Sequence, residues 1–190
     1  MRDTVIVFAR APRLGAVKRR LARNIGARAA LRFHIATLGR LTRALAADRR
    51  FRTFLAITPD RARLPPSTPL PRIGQGSGDL GQRMRRACQR FPRGRVAIVG
   101  SDIPEAGPGD LAAAFRALGR ADVAFGPAVD GGYWLVALGP RRPARPFAGV
   151  RWSSQHALAD TLGNFVGRRV AFIRSLDDVD TGADLAKLRA

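Results

Sequence analysis

Aspartates are scarce in the first half of this chain and gather in the second, where three groups stand at the ends of apolar runs. Asp102 follows Val96-Ala97-Ile98-Val99-Gly100-Ser101, Asp130 opens the turn Asp130-Gly131-Gly132 ahead of Tyr133-Trp134, and Asp177-Asp178-Val179-Asp180 follows Val170-Ala171-Phe172-Ile173. Short apolar runs read as buried strands. Carboxylates just past the strands of an open α/β sheet stand on the edge where such sheets bind ligands. Hard oxygen ligands of this kind suit Mg²⁺ or Mn²⁺ bridging a diphosphate, with Asp102 the leading candidate and a turn or helix cap its ordinary alternative. Asp130 has the position and chemistry of a general base for an acceptor hydroxyl. Gly131 and Gly132 leave room for a sugar, and Tyr133 or Trp152 offers a stacking face. The plainer alternatives are a tight Asp-Gly-Gly hairpin turn and aromatic residues of the core.

Two further segments pair glycine with polar or basic groups. Ala9-Arg10-Ala11-Pro12-Arg13-Leu14-Gly15-Ala16-Val17-Lys18-Arg19-Arg20 joins the first apolar run to a helix. A helix N-terminus exposes free N–H groups and attracts phosphate, and Arg10, Lys18 and Arg20 supply charge, the arginines as bidentate donors. Neither a dinucleotide fingerprint nor a P-loop is present. The second segment, Gln75-Gly76-Ser77-Gly78-Asp79-Leu80-Gly81-Gln82-Arg83, opens another helix. Gln75, Gly78, Asp79 and Arg83 are its candidate nucleotide contacts, and Asp79 reads equally well as an N-cap.

The elements that must position these groups alternate. Strands are expected at Thr4–Ala9, Phe54–Ile57, Arg72–Ile73, Val96–Val99, Val123–Phe125, Tyr133–Leu138 (antiparallel to a neighbour) and Val170–Ile173. Helices are expected at Lys18–Ala47, Leu80–Phe91, Asp110–Leu118, Ser153–Val166 and Thr181–Leu188, with a proline-rich loop over Leu64–Pro71. The Leu31, Ile35, Leu38, Leu41, Leu45 spacing marks one apolar face of the first helix. This alternation predicts an α/β fold in which helices cover both faces of a sheet. The chain of 190 residues is read as one domain, 1–190, without repeat or linker.

Composition narrows the classes. Apolar residues make up 46% and charged ones 25%, which is globular rather than disordered. One cysteine, Cys88, leaves no intramolecular disulfide and points to a reducing compartment; its spacing to Met84 gives it a buried helical position. No apolar run approaches the ~20 residues of a membrane helix, and the N-terminus lacks the layout of a signal peptide. A soluble, cytoplasmic protein is the expectation. The formal charge of +20 raises nucleic-acid binding. However, residues 1–100 hold 23 basic and 4 acidic side chains, against 11 and 10 in residues 101–190. Only two of the basic residues are lysine, a bias that a GC-rich genome produces without functional demand. No aromatic-rich basic stripe or nucleic-acid module is present. His34, within the long helix, and His156, beside Trp152-Ser153-Ser154, read as structural.

Taken in order, Phe8-Ala9-Arg10-x-Pro12-x-x-Gly15-x-Val17-Lys18-x-Arg20-Leu21, Gln75-Gly76-x-Gly78-Asp79-Leu80-Gly81-x-Arg83-Met84, Gly100-Ser101-Asp102-Ile103-Pro104, Gly126-Pro127-x-x-Asp130-Gly131-Gly132-Tyr133, Phe147-x-Gly149-Val150-x-Trp152-Ser153 and Asp178-Val179-Asp180-Thr181 resemble a bacterial family. It is domain-of-unknown-function family 2064, within the nucleotide-diphospho-sugar transferases of GT-A glycosyltransferase fold. The resemblance covers nearly the whole chain. It implies a three-layer, Rossmann-like mixed sheet and a cytoplasmic glycosyltransferase that moves a sugar from a nucleotide-sugar donor to an unidentified small-molecule acceptor. It also implies a divalent metal, Mg²⁺ or Mn²⁺, held by Asp102 and Asp180. The family usually has Lys where this chain has Arg10, Thr where it has Arg19 and Thr where it has Ser154. The first change exchanges a point charge for a bidentate fork; the second removes a hydroxyl. Two other readings stay open: a nucleotidyltransferase that uses an NTP and releases pyrophosphate, and a basic nucleic-acid-binding or catalytically silent protein. Donor base, acceptor, stereochemical outcome and oligomeric state are left undetermined.

Overall fold

The computed structural model describes residues 2–64 and 68–188. Seven strands form one sheet: β1 (Asp3–Arg10), β2 (Phe51–Thr58), β3 (Arg72–Gly74), β4 (Val96–Gly100), β5 (Val123–Pro127), β6 (Tyr133–Leu138) and β7 (Val170–Phe172), in the order β3-β2-β1-β4-β6-β5-β7. All run parallel except β6, which is antiparallel to both β4 and β5. The expected three-layer α/β architecture with a mixed sheet is therefore present.

Alternation along β1 shows how the layers are built. Val5, Val7 and Ala9 point into one core with Leu38, Leu41 and Leu45 of helix α2 (Ala27–Ala47) and Leu111 and Phe115 of α4 (Pro108–Ala117). Ile6 and Phe8 point into the other, with Met84, Ala87 and Cys88 of α3 (Leu80–Gln89) and Leu158 and Leu162 of α5 (Ala157–Gly163). A strand buried on both faces reads as an unbroken apolar run, which is why Thr4–Ala9 carried so clear a signal. A third cluster joins Leu21 of α1 (Arg19–Ile25), Ala30 of α2, Val179 on the segment after β7, and Leu185 of α6 (Gly182–Lys187).

Two expected helices differ. The single helix over Lys18–Ala47 is two, broken at Gly26, whose φ of 85° and ψ of 150° only glycine adopts readily. Gly26 closes α1 through its N–H to Ala22 O (2.9 Å), and its carbonyl accepts Ala30 N–H (3.1 Å) to open α2. Apolar periodicity continues across the break and hides it. The helix over Ser153–Val166 is confined to Ala157–Gly163. Ser153 sits at φ 58°, and Ser154 donates its hydroxyl to Arg151 O (2.6 Å) while accepting from His156 N (3.2 Å); such local side-chain bonds compete with helix. Residues 65–67 of the expected proline-rich loop lie outside the described residues. Among the described residues no helix is long and apolar enough to cross a membrane.

From β1 and β4 the chain moves in opposite directions along the sheet order, to β2 and to β5 respectively. Their carboxyl ends open a crevice at a topological switch point, and the candidate residues converge there.

Candidate active site

Lys18 is the centre of the arrangement. Its ammonium lies 3.0 Å from Asp102 Oδ2, 3.0 Å from Asp180 Oδ1 and 3.6 Å from Asp178 Oδ2. The side chain is 4% exposed, whereas the three carboxylates are 34–41% exposed. Lys18 has a left-handed backbone, φ 46° and ψ 48°, which costs a non-glycine residue roughly 1–2 kcal/mol. Strain of this kind persists where the surroundings over-determine it, often at functional sites. Lys18 also caps α1, its carbonyl accepting Ala22 N–H at 2.9 Å.

Each carboxylate arrives from a different constraint. Asp102 follows β4 without capping a helix; α4 is instead opened at Gly107, whose N–H donates to Asp110 (2.9 Å). Asp178 and Asp180 lie on an extended segment where residues two apart share a side, while Val179 between them is buried against Leu21. Thr181 takes the N-cap of α6, accepting from Asp184 N (3.3 Å), so Asp180 is left for the site. Asp177 does something else: its Oδ1 accepts Val129 N–H (2.9 Å) and ties this segment to the loop after β5. Asp178 was not singled out in the sequence. The i, i+2 spacing to Asp180 in an extended stretch is the signal that marks it.

Electrostatics at this cluster follow from burial and charge. Burial opposes the Lys18 ammonium, but Asp102, Asp180 and Asp178 outweigh it and raise its pKa above the ordinary value. Burial pushes the Asp178 carboxyl up to about 6, against the pull of Lys18 and with help from neighbouring Asp180 and Asp102. For Asp180, burial is overcome by Lys18 and Arg20, and the pKa is lowered. One oxygen from each of Asp102, Asp178 and Asp180 lies within 4.8 Å of the others. A lysine ammonium already stands among them as a cation, and three hard oxygens match what Mg²⁺ or Mn²⁺ takes. The residues fit a divalent ion.

On one side the cluster opens into a cavity of about 720 Å³ lined by Arg10, Lys18, Arg19, Arg20 and Arg83 together with Asp79 and the buried His34. Arg20 reaches Asp180 Oδ2 at 3.5 Å. His34 bonds the Arg10 carbonyl through Nε2 (3.2 Å), and burial lowers its pKa. Gln75 is almost fully buried. Its amide donates to Ala9 O (3.1 Å) and Ala56 O (2.8 Å), and its oxygen accepts from Arg83 (2.9 Å). It therefore holds Arg83 at the cavity wall, using its own polar atoms to do so. Asp60 likewise accepts from the N–H groups of Gln75 (2.9 Å) and Gly76 (3.2 Å). Asp79 forms a capping box with Gln82, accepting from its N–H at 2.8 Å. Gly78, at φ 97°, and Gly15, at φ 74°, shape turns and are not among the residues lining the cavity.

On the other side lies a cavity of about 230 Å³, bordered by Asp102, Asp130, Gly132, Tyr133, Trp152 and Asp178. Trp152 borders both cavities. Asp130 Oδ1 accepts Gly132 N–H (2.9 Å), so the Asp-Gly-Gly run is a side-chain-closed turn as well as a cavity wall. Gly131 packs rather than lines: at φ 82°, a Cβ there would come 2.2 Å from Gln155 O. Tyr133 lies edge-on to Trp152 with centroids 6.3 Å apart, its hydroxyl 3.3 Å from Thr161 Oγ1, and burial raises its pKa.

Residues 37–154 match the family described as uncharacterized protein conserved in bacteria (DUF2064). The structure is similar to that of a provisionally named nucleotide-diphospho-sugar transferase from Desulfovibrio desulfuricans G20, with 29% identity over 99% of this chain and 87% of that one and a TM-score of 0.90. It shares its fold with 4-diphosphocytidyl-2C-methyl-D-erythritolsynthase from Anaerococcus prevotii DSM 20548, at 9% identity over 100% and 99% of the two chains (TM-score 0.61). It also shares it with the Rv0371C complex with manganese from Mycobacterium tuberculosis H37Rv, at 17% identity over 99% and 98% (TM-score 0.58). No curated protein matches the sequence. With the family match spanning well over half of its length, the chain belongs to the bacterial family DUF2064.

Proposed function

We propose that the protein is a glycosyltransferase that moves a sugar from a nucleotide-diphosphate donor to a small-molecule acceptor. The observation that carries this reading is the carboxylate cluster, with a basic cavity on one side and an aromatic-walled one on the other. Asp102, Asp178 and Asp180 would hold Mg²⁺ or Mn²⁺. When bound, such an ion supplies positive charge against the negative charge that grows on a departing diphosphate. Arg10, Arg20 and Arg83 border the basic cavity and serve the phosphates and nucleotide by charge-assisted hydrogen bonds. Gln75 orients Arg83, and Asp79 fixes the helix that carries it. The acceptor occupies the smaller cavity against Trp152, Tyr133 and Gly132. In the transfer, a bond forms between the acceptor oxygen and the anomeric carbon. The bond from that carbon to the diphosphate oxygen breaks, and its electron pair leaves with the diphosphate. The acceptor proton passes to the Asp130 carboxylate, a general base within the cavity wall.

A second reading draws on the same basic cavity, whose five Arg and Lys side chains suit a triphosphate. It is nucleotidyl transfer from an NTP with release of pyrophosphate. A thermal-shift panel of UDP-, GDP-, ADP- and dTDP-sugars beside free NTPs, with and without Mn²⁺, separates the two. Ligand at ~100 times its dissociation constant adds about 2.7 kcal/mol, a shift of roughly 5–11 °C for a chain of this size. A Mn²⁺-dependent shift with one nucleotide-sugar is expected, and Asp102→Asn should abolish it while the protein stays folded. Stabilisation by an NTP alone favours nucleotidyl transfer. Unchanged Mn²⁺ dependence in Asp102→Asn defeats the metal assignment.

A further inference from the structure

The chain carries 34 Lys and Arg against 14 Asp and Glu, yet among the described residues not one basic side chain lines the smaller cavity. Its charged lining residues are Asp102, Asp130 and Asp178. Phe8, Leu80, Met84, Tyr133 and Trp152 make much of the remaining wall. The nearby ammonium of Lys18 is buried and shared among three carboxylates at 3.0, 3.0 and 3.6 Å. Of the polar groups in the wall, Ser154 has its hydroxyl committed to Arg151 O and His156 N. At about 230 Å³ the cavity falls below the ~300–1,000 Å³ of drug-sized sites, which limits the occupant to one small ring.

Bringing an anion into such a cavity is unfavourable twice over. Its charge loses water without gaining a basic side chain from the wall, and it meets Asp130, the lining carboxylate that stands outside the Lys18 and metal-holding cluster. A neutral ring stacks on the aromatic wall without that penalty, and an ammonium gains from both the carboxylates and the aromatic faces. We infer that the cavity selects by charge: its substrate is a compact single-ring molecule with an apolar face and a hydroxyl or amine nucleophile, bearing no phosphate or carboxylate. This rests on the transferase reading for its role in catalysis. It specifies that phosphorylated sugars and sugar acids are rejected at this subsite, while the phosphates of the donor go to the basic cavity.

Both of the chain's tryptophans, Trp134 and Trp152, line this cavity, so intrinsic fluorescence reports its occupancy. Four probes with a common ring separate the charges: cyclohexylmethanol, cyclohexylmethylamine, cyclohexanecarboxylate and cyclohexyl phosphate. Saturable fluorescence changes are expected with the alcohol and the amine, and binding roughly tenfold or more weaker with the two anions. Asp130→Lys should admit the carboxylate probe. The inference is overturned if either anion binds as tightly as the alcohol, if neither the alcohol nor the amine binds, or if Asp130→Lys leaves the preference unchanged. UDP, GDP, ADP and dTDP with Mn²⁺, each followed by thermal shift on the same protein, test the transferase reading separately. Ring binding with none of the four nucleotides bound defeats that reading alone; nucleotide binding without ring binding defeats the cavity inference alone.

Discussion

Lys18 shows how one side chain ties local backbone and electrostatics together. Its left-handed φ of 46° places it at the start of α1, where its ammonium meets Asp102, Asp178 and Asp180. It neutralises part of their charge and competes with any divalent cation for the same oxygens. Lys18→Met should therefore lower the melting temperature in the absence of metal, because it leaves three close, partly exposed carboxylates repelling one another without their shared cation. Mn²⁺ should restore much of the loss and bind more tightly than to wild type at alkaline pH. The sign of the pH effect follows from Asp178. Burial lifts its carboxyl to about 6, and Lys18 partly holds it down. A metal ligand must lose its proton to bind, so Mn²⁺ affinity in the wild type rises as pH climbs through about 6. Without Lys18 that onset moves to higher pH. Calorimetric Mn²⁺ titrations across pH 5–8 check both effects; weaker Mn²⁺ binding by the variant throughout would show that Lys18 does not compete.

At the scale of elements, glycines decide where helices and turns stop. Gly26 divides α1 from α2 at φ 85°, and a Cβ there would meet nothing within 4 Å. Gly26→Ala thus tests backbone strain by itself, at about 1–3 kcal/mol, or a fall of roughly 2–12 °C in melting temperature. Gly131→Ala adds a clash with Gln155 O at 2.2 Å to an unfavourable φ of 82°. It should cost more stability than Gly26→Ala and also perturb the tryptophan emission of the smaller cavity. Equal losses from the two variants would mean that the turn after β5 yields to the clash. The short α5 makes a related point. Local bonds at Ser153-Ser154 keep this stretch out of the helix and leave Ser153 and Trp152 beside both cavities.

Across the whole molecule, charge is segregated in space as well as by sequence position. The basic cavity draws on β1, α1 and α3, whereas the carboxylates come from the ends of β4, β5 and the segment after β7. Only the sheet order, with β4 beside β1 and β6 between β4 and β5, brings the two sets face to face. A net charge of +20 also destabilises the compact state through self-repulsion. Raising NaCl from about 50 mM to about 500 mM shortens the Debye length and should raise the melting temperature at fixed pH. A fall would show that ion pairs such as Arg95–Asp3 (2.7 Å) and Arg174–Asp110 (2.6 Å) outweigh the repulsion.

Much of this was legible from residue order because burial leaves a periodic trace. Apolar runs marked β1, β2, β4, β5, β6 and β7, whereas β3 offered only Arg72-Ile73, and the aspartates beyond the runs marked the carboxyl edge of the sheet. The resemblance to the DUF2064 pattern carried the fold class as a whole. Local bonds and backbone angles were less legible: the break at Gly26 lies inside a continuing apolar pattern, and Gln75 looked like a free ligand contact until its partners appeared, whereas the N-cap reading of Asp79 was already open. The pairing of Lys18 with three aspartates, the separation of Asp177 from Asp178, and the absence of cations from the smaller cavity's described walls were decided by tertiary structure alone. Sequence records which side chains are present and which face of an element they occupy. Which charges become neighbours depends on strand order and loop paths, set by packing over separations such as the 162 residues between Lys18 and Asp180.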